Sequence, residues 1–121
     1  MKNIDLQKAT LQQYAKGKRS FRSLTLDEMI YNFNNVNLAG ADFSNSFITA
    51  TFKNANLEGC TFHNCNLKTC DFSGANLINA SFIDSLIDAT VFKNANLSGA
   101  NFTGTSEQGY SYKKNEFPGD D

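Results

Sequence analysis

Cys60, Cys65 and Cys70 are the residues whose type and spacing come nearest to promising chemistry. Three thiols spaced C-x4-C-x4-C could hold a metal if they converged and a fourth ligand joined them, and His63, the single histidine, lies between the first two. The other reading is that each Cys replaces Ala as a small buried hydrophobe, and the repeat described below favours it. A disulfide would need two Cα atoms within about 7 Å, and the odd count of three Cys suggests free thiols in a reducing, cytoplasmic compartment. No Ser or Cys nucleophile aligns with His63 in the sequence. The acids Asp42, Glu58, Asp71, Asp84 and Asp88 are dispersed, and the glycines recur at a fixed period rather than forming a phosphate loop. The sequence therefore predicts no enzyme, no cofactor and no metal. Lys16, Lys18, Arg19 and Arg22 could touch nucleic acid or an anionic membrane. Four charges beside a helix end read instead as a solvated cap, and so few phosphate contacts would bind weakly.

These residues must be positioned by 121 residues, one domain's worth of chain, with a net charge of −1. That near-neutrality argues against a strongly basic nucleic-acid binder and a strongly acidic duplex mimic alike. Residues 1–30 are mildly basic, 31–104 nearly neutral and 105–121 mildly acidic. Trp is absent, Pro occurs once, Phe occurs 11 times and Asn 16 times. Asn and Gly make tight turns, so many turns at fixed intervals are expected. No apolar run approaches the roughly 18 residues a membrane span needs, and Met1–Asp5 has no secretory h-region.

A large apolar residue recurs every five positions: Phe33, Leu38, Phe43 and Ile48, then, after a slip of one, Phe52, Leu57, Phe62, Leu67, Phe72, Leu77, Phe82, Ile87, Phe92, Leu97 and Phe102. Two residues before most centres stands a small residue, such as Ala41, Cys60, Cys65, Cys70 or Ala75. Two residues after most stands Gly, Asn or Asp. A helix would scatter centres five apart roughly 140° around its axis, and a flat strand would alternate them between faces. A three-residue strand followed by a two-residue corner satisfies every position. The first and third strand residues point inward, the middle one outward, and the second corner residue takes a positive φ.

The centres sort into four columns: Phe33/52/72/92, Leu38/57/77/97, Phe43/62/82/102 and Ile48/Leu67/Ile87. Four sides per turn make a coil of 20 residues, stacked at about 4.8 Å. Phe-Lys-Asn-Ala-Asn-Leu at 52–57 returns at 92–97. Units such as Ala41-Asp42-Phe43-Ser44-Asn45 and Ala95-Asn96-Leu97-Ser98-Gly99 resemble the pentapeptide repeat family, with its motif of small residue, Asp/Asn, Leu/Phe, polar residue and Gly. The resemblance covers residues 31–104 and implies an all-β solenoid, the right-handed quadrilateral β-helix, here of about four coils. The leader Leu11–Phe21 is similar to one on many cyanobacterial members. The family resemblance also implies a non-enzymatic interaction role, or, in members shaped and charged like duplex DNA, binding to type II topoisomerases. The short, nearly neutral body disfavours that alternative.

The ends should cover the open solenoid. Residues 3–16 read as a capping α-helix with Ile4, Leu11, Tyr14 and Ala15 on one face, Asn3 as its cap and Gly17 as its stop. Phe21 falls in the Phe43 column and Leu26 in the Ile48 column as a degenerate half-coil, with Asp27–Asn32 bulging outward. Arg19 stands where a small residue is expected. The domain reading is thus 1–30 for the N-terminal cap, 31–104 for the β-helix and 105–121 for a tail that either packs its aromatics over the last coil or mediates an end-to-end dimer. Outward apolar residues break the polar rule at Phe47, Leu86, Val91, Ile78 and Ile83. They mark either surface covered by the chain's own bulge or tail, or a contact with a protein partner whose identity the sequence does not reveal.

Overall fold

The computed structural model describes residues 3–119, with side chains from Leu6 onward. The proposed Asn3 cap and the inward placing of Ile4 rest on side chains outside those described. Parallel bridges join outward residues of successive coils in four columns: Asn37–Asn56–Asn76–Asn96, Asp42–Thr61–Ser81–Asn101, Phe47–Asn66–Leu86–Ser106 and Thr51–Asp71–Val91. The chain is a quadrilateral parallel β-helix whose interior is filled by the repeat centres. All the centres named above are buried except Leu97, which is half-buried.

Three local interactions explain why five residues make one side. The N–H three residues after a centre donates to that centre's carbonyl, as from Cys60 to Leu57 at 3.0 Å and from Ala75 to Phe72 at 3.0 Å. The second corner residue takes a φ between +57° and +75° at Asn35, Gly40, Asn45, Asn54, Gly59, Asn64, Thr69, Gly74, Asn79, Asp84, Ala89, Asn94, Gly99 and Gly104. The outward Asn or Asp turns its Oδ1 onto the N–H two residues later, as Asp42 does for Ser44 at 2.9 Å and Asn76 for Ile78 at 3.1 Å. The motif's Asp/Asn therefore shapes the bend before it meets any partner.

Inside, the rings form two stacks: Phe33–Phe52–Phe72–Phe92, and Phe21–Phe43–Phe62–Phe82–Phe102. Centroids within the stacks are 4.7 to 5.6 Å apart, and edge-on contacts such as Phe62–Phe72 at 5.7 Å join one stack to the other. Offset stacks and edge contacts are the arrangements the ring quadrupole favours.

Regularity fails in the first coil. β1 (Thr25–Asn32) and β2 (Phe47–Thr51) run through a corner instead of turning tightly. Thr25 and Leu26 pair with Phe47 and Ile48, and Tyr31 and Asn32 pair with Ala50 and Thr51, so Asp27–Ile30 bulges opposite the lone Thr49. The bulge is shorter than the sequence suggested. Tyr31, expected outside, is fully buried, and Asn32 is back in register. Tyr31 turns inward because it stands two before Phe33, the inward position that Ala50, Cys70 and Thr90 fill in later coils.

α1 (Asn3–Ala15) lies against β1. Its inner residues are Leu6, Thr10, Leu11 and Tyr14, and Ala15 is exposed, contrary to expectation. Thr10 is buried because its hydroxyl donates to Leu6 O at 2.8 Å, within the helix. Arg19 is exposed, its guanidinium 3.7 Å from the Tyr14 ring centre, so the expected conflict at the small position does not arise. At the other end, β3 (Ser106–Glu107) and β4 (Tyr110–Ser111) form a hairpin. It brings Tyr112 and Phe117 edge-on to Phe102, at 6.4 and 6.1 Å.

Candidate interaction surface

The solenoid offers faces, and one of them differs from the rest. Its outward column reads Thr25, Phe47, Asn66, Leu86, Ser106. Phe47 is 44% and Leu86 37% exposed. Both keep solvent-exposed surface although Thr25 of β1 and Ser106 of the tail pair beside them. Met29 and Ile30, 39% and 69% exposed, project from the bulge that leaves this face just after Leu26. The sequence did not single these two out. The seven-residue interval from Leu26 to Phe33 was the available signal, since two surplus residues must leave the coil.

The other candidates scatter. Ile83 flanks Leu86 at the preceding corner and is half-buried, and half-buried Val91 stands on the next face below Asp71. Ile78, also half-buried, follows Leu77 at the corner between the Asn76 and Ser81 faces, remote from Phe47. The edge bordering the Phe47 face is also unusual. Its corner residues with positive φ are Thr69 (+66°) and Ala89 (+58°), where the other edges place Asn, Asp or Gly from Phe33 onward. A β-branched residue in this conformation is strained.

The groups considered for chemistry are held in structural roles. Cys60, Cys65 and Cys70 are free and buried, and they donate to three different carbonyls, of Leu38, Phe43 and Ile48, at 3.0 to 3.1 Å. Ser85, Thr90 and Thr105 donate the same way, to Phe62, Leu67 and Phe82. The inward small position thus takes any compact donor. Burial pushes the three thiols up to about 12, 11 and 12, which suppresses the reactive thiolate. No group of three or more His, Cys, Asp or Glu among the described residues is arranged to hold a metal ion.

His63 corrects the sequence reading, which found no nucleophile aligned with it. Its Nε2 lies 2.6 Å from Ser81 Oγ. Coil stacking brings together residues 18 apart, a separation outside any linear motif. The carboxylate of Asp42 is engaged by the N–H and hydroxyl of Ser44 and by Arg22 at 3.4 Å. Burial raises the Asp42 carboxyl, but the Ser44 bonds, Arg22 and His63 outweigh it and hold it below the ordinary range. The contact ties adjacent coils.

Residues 28–102 and 55–118 match the pentapeptide repeat region family, and the chain belongs to that family. Membership carries the right-handed form of the quadrilateral β-helix. No curated protein matches. Among solved structures, the chain is similar to alr5209, a pentapeptide repeat protein from Nostoc PCC 7120, at 28% identity over 90% of this chain and 87% of that one, with a TM-score of 0.40. HetL, a pentapeptide repeat protein involved in heterocyst differentiation regulation from the cyanobacterium Nostoc sp. strain PCC 7120, is 24% identical over 79% of this chain and 48% of its own, with a TM-score of 0.48. Full-length QnrB1, a plasmid-mediated fluoroquinolone resistance protein, is 18% identical over 70% of this chain and 61% of its own, with a TM-score of 0.47. The chain thus spans about half of HetL and less than two thirds of QnrB1. No helix among the described residues is long and apolar enough to cross a membrane.

Proposed function

We propose that this protein is a non-enzymatic binding module that docks a partner protein on the face carrying Phe47 and Leu86. The observation behind this reading is the exposure of both side chains in a column that regular repeats fill with Asn, Asp, Ser or Thr. Burying the part of each that is still exposed is worth roughly 1 kcal/mol, so a few such residues together anchor a modest interface. The strained edge beside them supports the choice of face, because backbone strain gathers at functional sites. In this reading residues 1–30 and 105–121 cap a rod of about four coils, 31–104, with α1 as the N-terminal lid. The protein works in the cytoplasm, as a monomer or an end-to-end dimer. A topoisomerase-directed duplex mimic has less behind it. Two of the body's few acids, Asp42 and Asp71, are paired with Arg22 and Lys53 at 3.4 and 3.7 Å, which breaks any acidic stripe.

The test is the double change Phe47→Ser and Leu86→Ser. Both residues point outward, so the melting temperature should stay within a few degrees of the original, while the protein that the unaltered chain retains from lysate of its native organism is lost. Strong destabilisation would instead place these side chains in an intramolecular contact. A stable double variant that still holds the same partner would move the interface elsewhere.

A further inference from the structure

The repeat fills its interior with buried, stacked centres, while the junction of α1 with the first coil holds a cleft. α1 is fastened along one side, where Tyr14 Oη donates to Ala39 O at 2.6 Å and Gln7 Oε1 accepts from Asn32 N at 3.1 Å. On the other side, toward Phe21–Leu26, the helix stands away from the coil and leaves a cleft of about 270 Å³. Leu6, Ala9, Phe21, Leu24 and Leu26 make its apolar wall. Two threonines, a serine and a glutamine add neutral polar groups, and among the described residues the one charged residue lining it is Lys18. The Lys18 ammonium lies 5.2 Å from the Phe21 ring centre and 3.4 Å from Gln13 Oε1, so it is held over the cleft with a neutral acceptor and an aromatic face. Among the described residues neither ion pair of the protein uses it.

We propose that this cleft binds a small monocarboxylate with an apolar body, its carboxylate on Lys18 and its body against Leu6, Ala9, Leu24 and Leu26. An apolar cavity of about 150 Å³ accepts benzene, so this one has space for about ten heavy atoms. Among the described residues the apolar wall carries one cation and no acid, which selects an anion over a cation or a neutral polar molecule. A charge-assisted hydrogen bond at the mouth fixes the orientation. The cleft lies where a helix, rather than another coil, packs beside the first coil.

The test uses the full chain and three probes of equal length: octanoate, 1-octanol and octylamine. Calorimetric titration and thermal melting should show octanoate binding and raising the melting temperature, octanol binding more weakly and octylamine not at all. Lys18→Met keeps the apolar stem and should weaken octanoate about tenfold, leaving octanol unchanged. Ala9→Met fills the cleft and should abolish both. The proposal falls if octanoate does not bind at millimolar concentration, if octylamine binds as well as octanoate, or if Lys18→Met leaves the octanoate affinity intact. Unchanged octanoate binding by a folded Ala9→Met variant would place the site elsewhere. Should Ala9→Met not fold, the Lys18→Met comparison decides alone.

Discussion

The solenoid has four edges, and three of them differ from the fourth. From Phe33 onward, the edges that follow the two Phe columns and the Leu38 column place Asn, Asp or Gly at every positive φ. The edge that follows Leu26, Ile48, Leu67 and Ile87 carries in turn a four-residue bulge, a single Thr49, Thr69 and Ala89. The columns inside are unbroken along both kinds of edge, and Leu26, Ile48, Leu67 and Ile87 are as buried as any other centre. The frame is therefore set by the inward columns, and an edge can depart from the rule as long as its neighbours on the inside stay in register. The departures collect along the border of the Phe47 face and, at the N-terminal end, beside the cleft.

If the columns bear the load, the largest effect belongs to a mid-stack ring. Phe72 lies between Phe52 at 5.0 Å and Phe92 at 5.4 Å, with Phe62 and Phe82 edge-on at 5.7 Å. Phe72→Ala removes contacts in both directions and should cost about 3–5 kcal/mol. Each coil touches only its neighbours, so the loss sits at the middle of a linear array and should lower the melting temperature of the whole chain. A variant that melts with the unaltered protein would show that the edges, not the ring stacks, hold the frame.

The columns were legible in the sequence because each centre repeats at a fixed interval and its physical demand is simple: a large apolar side chain every five residues. Phe21 and Leu26 could be assigned to their columns by counting back from the regular repeats, despite the irregular spacing around them. What escaped was whatever depends on the stacking of coils or on the path of surplus residues. His63 and Ser81 meet only because one coil lies on another. Tyr31 turned inward because its register is set by Phe33 after it, not by Leu26 before it. The inner face of α1 shifted from Ala15 to Leu6 because Thr10 could satisfy its hydroxyl on its own helix and so be buried. Of the candidate surface, the exposed middle positions Phe47 and Leu86 were readable from the strand alternation. The remoteness of Ile78 required knowing which corner it occupied.

The second effect is on the irregular edge itself. Thr69 holds φ at +66° with a β-branched side chain, and its N–H is engaged with Asp88 O at 3.0 Å, so the corner cannot relax without losing a ladder bond. An L-residue in this region costs roughly 1–2 kcal/mol. Glycine removes that strain but loses more backbone entropy on folding, by roughly 0.5–1 kcal/mol. Thr69→Gly should therefore stabilise by up to about 1 kcal/mol, read as a higher denaturant midpoint at unchanged slope. The same substitution logic predicts no gain at Asn54 or Asn64, whose edges already carry a residue suited to the bend. A loss of stability in Thr69→Gly would mean that the threonine side chain contributes more than the strain it imposes, and the contrast between edges would be one of sequence only.

An effect of similar size is the most specific to the first coil. Tyr31 is fully buried, and its hydroxyl is the single buried side-chain polar atom without a hydrogen-bond partner among the described residues. A buried, unpaired hydroxyl costs roughly 1–3 kcal/mol in desolvation. Tyr31→Phe keeps the ring and removes that cost, so it should stabilise by about 1 kcal/mol. The two forms should also separate with pH. Burial first, then the Glu28 and Asp27 carboxylates, raise the Tyr31 hydroxyl above its ordinary value, so in alkali the folded state keeps a proton that the unfolded state releases. Unfolding then releases a proton, and the stability of the unaltered protein falls as pH rises past about 10, the value for unfolded tyrosine. Tyr110 is raised as well, through Glu116, but it is common to both proteins and cancels in the difference. The gap between Tyr31→Phe and the parent should be constant below pH 9 and widen above pH 10. A gap that stays flat through that range would show that the hydroxyl is hydrated or paired in solution, and that the first coil opens more than its buried ring implies.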